Sequence, residues 1–375
     1  MKKRSECTVA ELGGALAKRA PFDYAEEWDN VGLLAGDATV KVTGVVVAVN
    51  LGPESLEAAE KKGANVVVCH HPPIFKPISK FTKQSSPWLF QAVLKNISVI
   101  ALHTNYDLAS EDSSRKLAAT LGFQFKSFLT GRGGEEPRSI RQVKFVTYVP
   151  EKNLEAVRTA VCEAGAGRIG EYEQCSFSWE GEGTFFGGKD TKPTVGRSLE
   201  LTKASERRLE IVTPAIYIDK VVAAARKAHP YEEMAYDVIL LENPSKTIGY
   251  GFIGTGKMTF RNLLENVKGT FLLKDLIVAG PGLYNSEMDV TKVAFSPGSG
   301  SSFVGAAAAK GADVYICGEV GYHQMLEART KNLTLMVLGH SYSERFFVET
   351  LSTWVAGVVD AGIEKVFERV HESVF

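Results

Sequence analysis

One segment sets the kind of fold to expect: Val66-Val67-Val68-Cys69-His70-His71-Pro72-Pro73. Its four apolar residues predict a buried strand, and the two prolines predict the loop that follows it. The histidine pair therefore lies where a buried strand ends, which is the place at which open α/β sheets carry out chemistry. A second segment of this kind lies far along the chain, where the apolar residues 333–338 lead into Gly339-His340.

The sequence around both segments alternates strand-like apolar runs with helical stretches. In the first third, strands are predicted at residues 45–49, 65–69 and 97–102, with a helix at 54–62. In the last third, strands are predicted at 292–295, 314–317 and 333–338, with helices at 303–310, 323–329 and 343–358. Continuous apolar runs are typical of parallel strands whose two faces are covered by helices. The pattern predicts an α/β domain with a parallel sheet.

The middle of the chain has a different order of predicted strands and helices, which indicates a second domain. Strands are predicted at residues 142–149, 172–178, 210–212 and 236–241, and helices at 154–164 and 218–228. This βαββαβ order is typical of ferredoxin-like α+β domains. A glycine-rich loop is expected at 181–193, and hinges are expected at 131–134 and 242–245. We therefore expect a discontinuous α/β domain, at residues 1–137 and 245–375, with an α+β domain inserted at 138–244.

Composition excludes several classes of protein. The chain has 375 residues, 45% hydrophobic and 23% charged, with a formal net charge of -1. Without a basic excess, nucleic acid is not expected as a partner. No apolar run is long enough to span a membrane, and Met1-Lys2-Lys3-Arg4 leads into polar residues instead of an apolar signal segment. The five cysteines include no C-x-x-C pair, so we expect reduced thiols and a cytoplasmic location.

Histidines and carboxylates gather after the predicted strand ends. Five of the seven histidines do so: His70, His71, His103, His323 and His340. Glu344 follows His340 by four residues, so a helix that begins there places both side chains on one face. Glu319 follows the strand that ends at residue 317. Imidazoles and carboxylates without thiolates suit zinc, iron or manganese, and carboxylates can bridge two ions. The sequence predicts a metal site.

Five segments also carry a family resemblance: Glu27-Trp28-Asp29-Asn30-Val31-Gly32-Leu33, Cys69-His70-His71-Pro72-Pro73, Leu102-His103-Thr104-Asn105-Tyr106-Asp107, Gly318-Glu319-Val320-Gly321-Tyr322-His323 and Gly339-His340-Ser341-Tyr342-Ser343-Glu344. With them the chain resembles the Nif-three-like proteins, known in bacteria as GTP cyclohydrolase I type II homologues. The resemblance implies a centre of two divalent metal ions held by His70, His71, Asp107, His340 and Glu344, with His103 and His323 nearby. It also implies a ring-shaped homohexamer. Asn50 departs from the family, which more often has Asp there.

The middle domain resembles the PII-like, CutA-like domain of longer bacterial members of that family. The residues that carry this resemblance are Gly165-Ala166-Gly167-Arg168-Ile169-Gly170-Glu171-Tyr172, Cys175-Ser176-Phe177, Gly183-Thr184-Phe185 and His229-Pro230-Tyr231-Glu232-Glu233. Phe185-Phe186-Gly187 departs from it, because a proline-containing stretch is more usual there. The resemblance implies a domain that binds a ligand.

Three glycine-rich motifs indicate ligand binding only weakly. Residues 296–302 lead from a strand into a helix, so their amides either bind a phosphate or simply form a tight turn. Gly251-Phe252-Ile253-Gly254-Thr255-Gly256-Lys257 is close to a P-loop, but Met258 stands where Ser or Thr must hold magnesium. Gly249, Gly251 and Gly254 fit G-x-G-x-x-G without a suitable βαβ unit, and we expect a turn there.

Three functional classes follow from these observations. The first is a metal-dependent hydrolase of a nucleotide or related phosphorylated small molecule, in which His103 or His323 moves a proton or else holds ligand carboxylates in orientation. The second is a metal-binding regulatory or storage protein without turnover. The third is a nucleic-acid-binding ring, for which the sequence offers no basic excess.

Overall fold

The computed structural model describes residues 7–170, 172–243 and 246–367. The chain divides into two compact units, one formed by residues up to 138 and from 248 onward, and the other by residues 139–247. The expected domain boundaries follow residues 137 and 244. Residues 1–4, Glu171 and the Pro244-Ser245 part of one expected hinge lie outside the described residues.

Strands and helices alternate along the described chain. The strands are β1 (Gly32–Ala35), β2 (Gly44–Ala48), β3 (Val66–Cys69), β4 (Ser98–Ala101), β5 (Gln124–Ser127), β6 (Arg138–Ile140), β7 (Gln142–Val149), β8 (Ser176–Phe186), β9 (Leu201–Pro214), β10 (Tyr236–Leu240), β11 (Lys246–Ile248), β12 (Phe252–Thr259), β13 (Ile277–Ala279), β14 (Asp289–Ser299), β15 (Val314–Glu319), β16 (Thr334–Val337) and β17 (Gly362–Val366). The α-helices are α1 (Val9–Arg19), α2 (Pro53–Lys62), α3 (Pro87–Leu94), α4 (Thr104–Ala109), α5 (Glu111–Thr120), α6 (Leu154–Glu163), α7 (Ile218–Ala228), α8 (Phe260–Phe271), α9 (Val304–Ala309), α10 (Tyr322–Thr330), α11 (His340–Ser343) and α12 (Arg345–Ala356). Among the described residues, no helix combines the length and the apolar character that a membrane crossing requires.

The first unit contains two large sheets, and one of them carries the histidine pair. Its strand order is β1-β4-β3-β2-β17. Strands β4, β3, β2 and β17 are parallel, and β1 is antiparallel to β4. Every residue of β2, β3 and β4 is buried, as expected for parallel strands covered on both faces. Each buried valine stabilises the fold by about 1.5–3 kcal/mol.

The second sheet of this unit has the strand order β13-β16-β15-β14-β12-β5. Strands β14, β15 and β16 are parallel, whereas β13, β12 and β5 are antiparallel to their neighbours. Its core includes the stacked rings of Phe252, Phe295 and Phe271, with centroid distances of 5.4 and 5.9 Å. The unit is therefore a mixed α/β structure in which predicted parallel strands are flanked by antiparallel ones.

A strand replaces part of the turn expected at Gly249, Gly251 and Gly254. Gly251 has φ +55° and turns the chain, and β12 begins at the next residue. The glycines inside β12 make room for a ring, since a Cβ on Gly256 would lie 2.8 Å from Cδ1 of Phe123. The expectation of a turn through Gly254 is wrong because these glycines serve close packing instead of chain reversal.

The second unit, which we call the insert, has the predicted element order β7-α6-β8-β9-α7-β10. Its sheet has the strand order β10-β7-β9-β8, and all neighbouring strands are antiparallel. Phe145, Leu209, Val157 and Val221 form part of the core between this sheet and the two helices. The two helices cover one face of the sheet and leave the other face without helices.

Part of the glycine-rich loop expected at 181–193 is strand. Strand β8 runs to Phe186, which pairs with Leu201 of β9. Gly183 fits the strand because the carboxylate of Glu206 fills the adjacent space, where a Cβ would lie 2.3 Å from Oε2. The expectation is wrong for residues 181–186, since the glycine there accommodates a neighbouring side chain.

His229 of the insert predicts a pH-dependent stability. It is buried, its Nε2 donates to the carbonyl of Tyr148 at 2.9 Å, and its Nδ1 accepts from the amide of Tyr231 at 3.2 Å. Burial lowers the pKa of His229 below its ordinary value of 6.5. Its stabilising contribution is therefore present above about pH 6.5 and is lost as pH falls through the lower folded-state pKa.

We expect the free energy of unfolding to decrease between about pH 7.5 and pH 5, in part through His229. Urea unfolding of the full chain at several pH values measures this dependence. His229→Gln should flatten it, whereas His323→Gln, a change at an exposed histidine, should not. An unchanged slope in His229→Gln would refute the assignment.

Candidate metal centre

The first half of the candidate site lies at the carboxyl ends of β3 and β4. His70 and His71 follow β3 directly, and His103 precedes α4, which carries Asp107. The parallel register pairs Cys69 with Ala101, so both strands end at the same edge of the sheet. His70 is 1% exposed. The fold thus brings together four side chains from two consecutive strand ends.

The second half of the site comes from the region after β16. Gly339, with φ +91°, turns the chain into the short helix α11, and Glu344 lies between α11 and α12. The expected helix at 343–358 is therefore interrupted at this residue. Nε2 of His340 lies 3.1 Å from Oε1 of Glu344, as the spacing of four predicts. Gly298 borders both side chains, because a Cβ there would lie 2.7 Å from Oε1 of Glu344.

The two halves meet at Glu344. Its Oε1 lies 3.8 Å from Nε2 of His70, and its Oε2 lies 3.4 Å from Nε2 of His71. Asp107 Oδ1 lies 3.7 Å from Nε2 of His70. The five residues that the family resemblance implies as ligands are therefore neighbours: His70, His71, Asp107, His340 and Glu344. Possible ligand atoms within 4.8 Å of one another form two groups that share His71.

All four imidazoles of the site have the same orientation. In each ring Nδ1 faces an oxygen outside the cluster: the carbonyl of Leu102 for His70 at 2.8 Å, Asn50 Oδ1 for His71 at 2.7 Å, Asp29 Oδ1 for His103 at 2.9 Å and Glu319 Oε2 for His340 at 3.1 Å. Each of these oxygens accepts a hydrogen bond from Nδ1, which turns Nε2 toward the cluster. Hydrogen bonding with Glu344 and Glu319 raises the pKa of His340 to about 9, so its Nε2 carries a proton unless an ion displaces it. Such outer contacts are typical of histidines that bind metal ions.

His103 has a distinct carboxylate partner, Asp29. Both oxygens of Asp29 are engaged, Oδ1 by His103 and Oδ2 by the hydroxyl of Thr104 at 2.5 Å and its amide at 3.1 Å. Burial would raise the pKa of Asp29, but hydrogen bonds from His103 and Thr104 lower it to about 2. Asp29 is therefore ionised at neutral pH and fixes the orientation of the His103 ring.

The electrostatics of the cluster favour a cation. Burial lowers the pKa of His70 to about 3, so its imidazole is neutral. Burial also raises the pKa of Asp107 to about 7, which means that its charged form lacks enough positive charge nearby. Burial opposes ionisation of Glu344 too, but the hydrogen bond from His340 and the nearby imidazoles of His71 and His70 hold the pKa of this carboxyl well below its ordinary value.

One polar atom tests whether a metal ion fits here. Oε2 of Glu344 is buried and has no hydrogen-bond partner of good geometry among the described residues. A buried carboxylate oxygen without a partner costs free energy unless an ion or another donor satisfies it. Together with the inward Nε2 atoms, this oxygen fits a divalent metal ion of the zinc, iron or manganese type.

A cavity of about 810 Å³ opens onto the cluster. Trp28 and Phe75 line it with partly exposed rings, whose centroids are 5.5 Å apart. Glu26, also in the lining, accepts hydrogen bonds from the Tyr250 hydroxyl and the Gly133 amide, each at 3.0 Å. The cavity is large enough for a small organic molecule beside the cluster.

The structure does not bring His323 to this cluster. His323 is exposed at the start of α10 and contacts the ring of Tyr322, with centroids 5.7 Å apart. Strand β15 extends to Glu319, so Glu319 is the residue of this strand end that reaches His340. Of the two residues expected to line the same crevice, Glu319 contacts the cluster through His340, and neither lies in the lining of the cavity described above.

Sequence reasoning did not assign roles to Asp29, Glu26 and Tyr250. Asp29 lies in a loop far from His103 in sequence, and no spacing rule links the two residues. The one sequence signal that links Asp29 with His103 is that both lie in segments that carry the family resemblance, residues 27–33 and 102–107. Residues 296–299 line the cavity, but the Gly298 amide donates to Ser343 Oγ at 2.9 Å and thus already has a partner.

The chain matches one protein family and resembles named bacterial proteins. A family model described as Duf34/NIF3 (NGG1p interacting factor 3) matches residues 7–372. A Listeria innocua protein named GTP cyclohydrolase 1 type 2 homolog is 31% identical over 373 residues, covering 97% of each chain. A Bacillus subtilis protein of the same name is 34% identical over 334 residues, covering 88% of this chain and 87% of the relative.

Two solved structures resemble the chain over nearly its whole length. The Bacillus cereus protein related to NIF3 has a TM-score of 0.74 and 31% identity, covering 98% of this chain and 99% of that one. The Staphylococcus aureus protein SA1388 has a TM-score of 0.68 and 25% identity, covering 100% of this chain and 99% of that one. Both the sequence and the fold are therefore shared with these proteins.

Proposed function

Because this chain belongs to the Duf34/NIF3 family, we propose that its histidine and carboxylate cluster binds two divalent metal ions and hydrolyses a nucleotide or a related phosphorylated small molecule. The observation that carries this proposal is the common orientation of four imidazoles, three of which, His70, His71 and His340, have Nε2 atoms 3.1–3.8 Å from the buried carboxylate of Glu344. A cluster held together only for stability would not need a buried carboxylate oxygen without a hydrogen-bond partner.

The proposed ligands are His70, His71, Asp107, His340 and Glu344. Glu344 suits a shared position, because Oε1 faces His340 and His70 while Oε2 faces His71. When bound, divalent ions polarise the bond under attack and lower the pKa of water. The ligand set suits zinc, iron or manganese.

His103 is the residue that we propose to move a proton. Its Nδ1 donates to Asp29, so its Nε2 is left free to accept a proton. The ionised carboxylate of Asp29 stabilises the resulting imidazolium, as in other carboxylate-oriented histidine bases. A role for His103 in holding the cluster in position is the alternative. His323 remains a prediction without a contact to the cluster.

The substrate class rests on the cavity and on the relatives. The names of these relatives refer to GTP cyclohydrolase, which suggests a nucleotide for this chain. The exposed ring faces of Trp28 and Phe75 beside the cluster suit a planar base by stacking. GTP itself is one member of the class that we propose.

A second proposal is a metal-binding regulatory or storage protein without turnover. The observation that favours it is the insert, a separate unit with its own cavity of about 580 Å³. We propose that the insert is a PII-like domain, from its element order and antiparallel sheet. For either function we also propose a homohexamer and a cytoplasmic location, the latter in keeping with the absence of disulfides among the five described cysteines.

Turnover by metal-loaded protein distinguishes the two. The full chain, stripped of metal and reloaded with zinc, iron(II) or manganese in turn, is incubated with nucleoside phosphates and simpler phosphorylated molecules. We expect metal-dependent hydrolysis of at least one of them, detected by chromatography and mass spectrometry. Metal-loaded protein that converts none of them would refute hydrolysis and support the regulatory role.

A further inference from the structure

The insert contains a cavity that the metal chemistry does not use. It measures about 580 Å³ and lies among strands β8 and β9, residues 187–194 and residues 231–235. Four aromatic side chains line it: Tyr148, Trp179, Phe185 and Tyr231. A cavity of this size that combines aromatic walls with polar groups is typical of sites for small organic molecules.

The charge of the lining is strongly negative. The carboxylates among the lining residues are Glu182, Glu206, Glu232 and Glu233, and the cation is Arg208. Arg208 is already paired with Glu210, which accepts from Nε at 3.0 Å and lies 2.9 Å from the terminal nitrogen Nη2. Glu210 also pairs with Lys144 at 2.8 Å, and Glu182 pairs with Lys203 at 2.9 Å. The remaining lining carboxylates, Glu206, Glu232 and Glu233, still outnumber Arg208.

Glu206 is the carboxylate best placed to meet a ligand. It is half-buried, and among the described residues it forms no salt bridge. Beside it, the buried hydroxyl of Tyr231 faces the Glu206 carboxylate, although their geometry falls outside that of a regular hydrogen bond. Burial and the charge of Glu206 together raise the pKa of Tyr231, which means that additional negative charge is disfavoured there.

These features select the chemistry of the ligand. A carboxylate-rich lining attracts cations and repels phosphates and carboxylates. Aromatic faces bind ammonium groups through cation–π attraction, and they also cover aliphatic carbon. Among the described residues, the groups able to hold a bare metal ion lie at the other site. The ligand is thus an organic cation large enough to fill the cavity.

We propose that the cavity of the insert binds an aliphatic polyamine, with one ammonium group at Glu206 and another toward Glu232 and Glu233. The methylene chain then lies against Trp179 and Phe185. Several carboxylates around one cavity match several ammonium groups on one chain better than a single charge. The inference does not depend on hydrolysis at the metal centre.

Calorimetric titration of the full chain with spermidine at about 0.15 M salt tests this proposal. We expect saturable binding of one spermidine per chain. Glu206→Gln should weaken it about tenfold or more, the effect of losing a hydrogen bond between charged groups. Glu163→Gln makes the same charge change on an exposed face of α6, outside the lining, and should leave the affinity unchanged.

A second variant distinguishes loss of a ligand contact from misfolding of the insert. Trp179→Leu alters a ring that is 40% exposed and should weaken binding several-fold while circular dichroism stays unchanged. Absence of spermidine binding, an equal loss in Glu163→Gln, or tighter binding of tripolyphosphate would each overturn the proposal. The first two results exclude the site, and the third reverses its charge preference.

Discussion

Glu344→Gln should strip the protein of most of its metal and abolish metal-dependent hydrolysis. The chain purified without chelators or a histidine tag should carry about two ions, as a two-metal site requires, and the variant should carry far fewer. The reason is that both Glu344 oxygens face imidazole nitrogens, so one neutral amide removes the shared negative charge. We expect affinity to fall by more than about 100-fold, beyond the effect of losing an outer contact.

Elemental analysis of both proteins measures this loss directly. Glu349→Gln is the matched control, because Glu349 lies on α12 and pairs with Lys365 at the surface. The control should retain both the metal and the activity. Full metal content in Glu344→Gln would show that the cluster is not the binding site, and it would remove the main support for the proposed function.

Asp29→Asn should slow hydrolysis by about 100-fold or more while leaving the metal content unchanged. Asp29 accepts from Nδ1 of His103 and from Thr104. An asparagine can instead present its amide to the ring, which moves the His103 proton to Nε2 and blocks proton acceptance there. The measurements are the hydrolysis rate as a function of pH and the metal content.

Asp37→Asn is the control for this variant, since Asp37 is exposed and bonds to Thr39 in a turn. It should behave as the unchanged protein. Loss of metal in Asp29→Asn would assign His103 to metal binding or to support of the ligands. An unchanged rate would exclude His103 as the proton acceptor.

The central strands and the histidine positions were predictable because both depend on local sequence. Continuous apolar runs such as Val66-Val67-Val68 mark strands buried on both faces, and their ends mark the edge of the sheet. His340 and Glu344 follow from a helical spacing of four. The family resemblance, carried by these same segments, is confirmed by the match over residues 7–372.

Other features depend on contacts that local sequence does not encode. Asp29 reaches His103 across 74 positions of the chain, and nothing around it predicts that partner. Gly183 suggested a loop and Gly254 a turn, yet each lies in a strand, next to Glu206 and Phe123 respectively. The position of His323 depended on where β15 ended, and strand ends are the least certain part of such predictions.

The five proposed ligands lie on both sides of the insert, with Asp107 before it and His340 after it. His70, His71 and Asp107 are synthesised before the insert. Glu344, the last of the proposed ligands, is synthesised after the whole insert. If the cluster binds metal as proposed, its complete ligand set therefore forms late in synthesis. An ion bound there would cross-link distant parts of the polypeptide and restrict the unfolded chain much as a disulfide does.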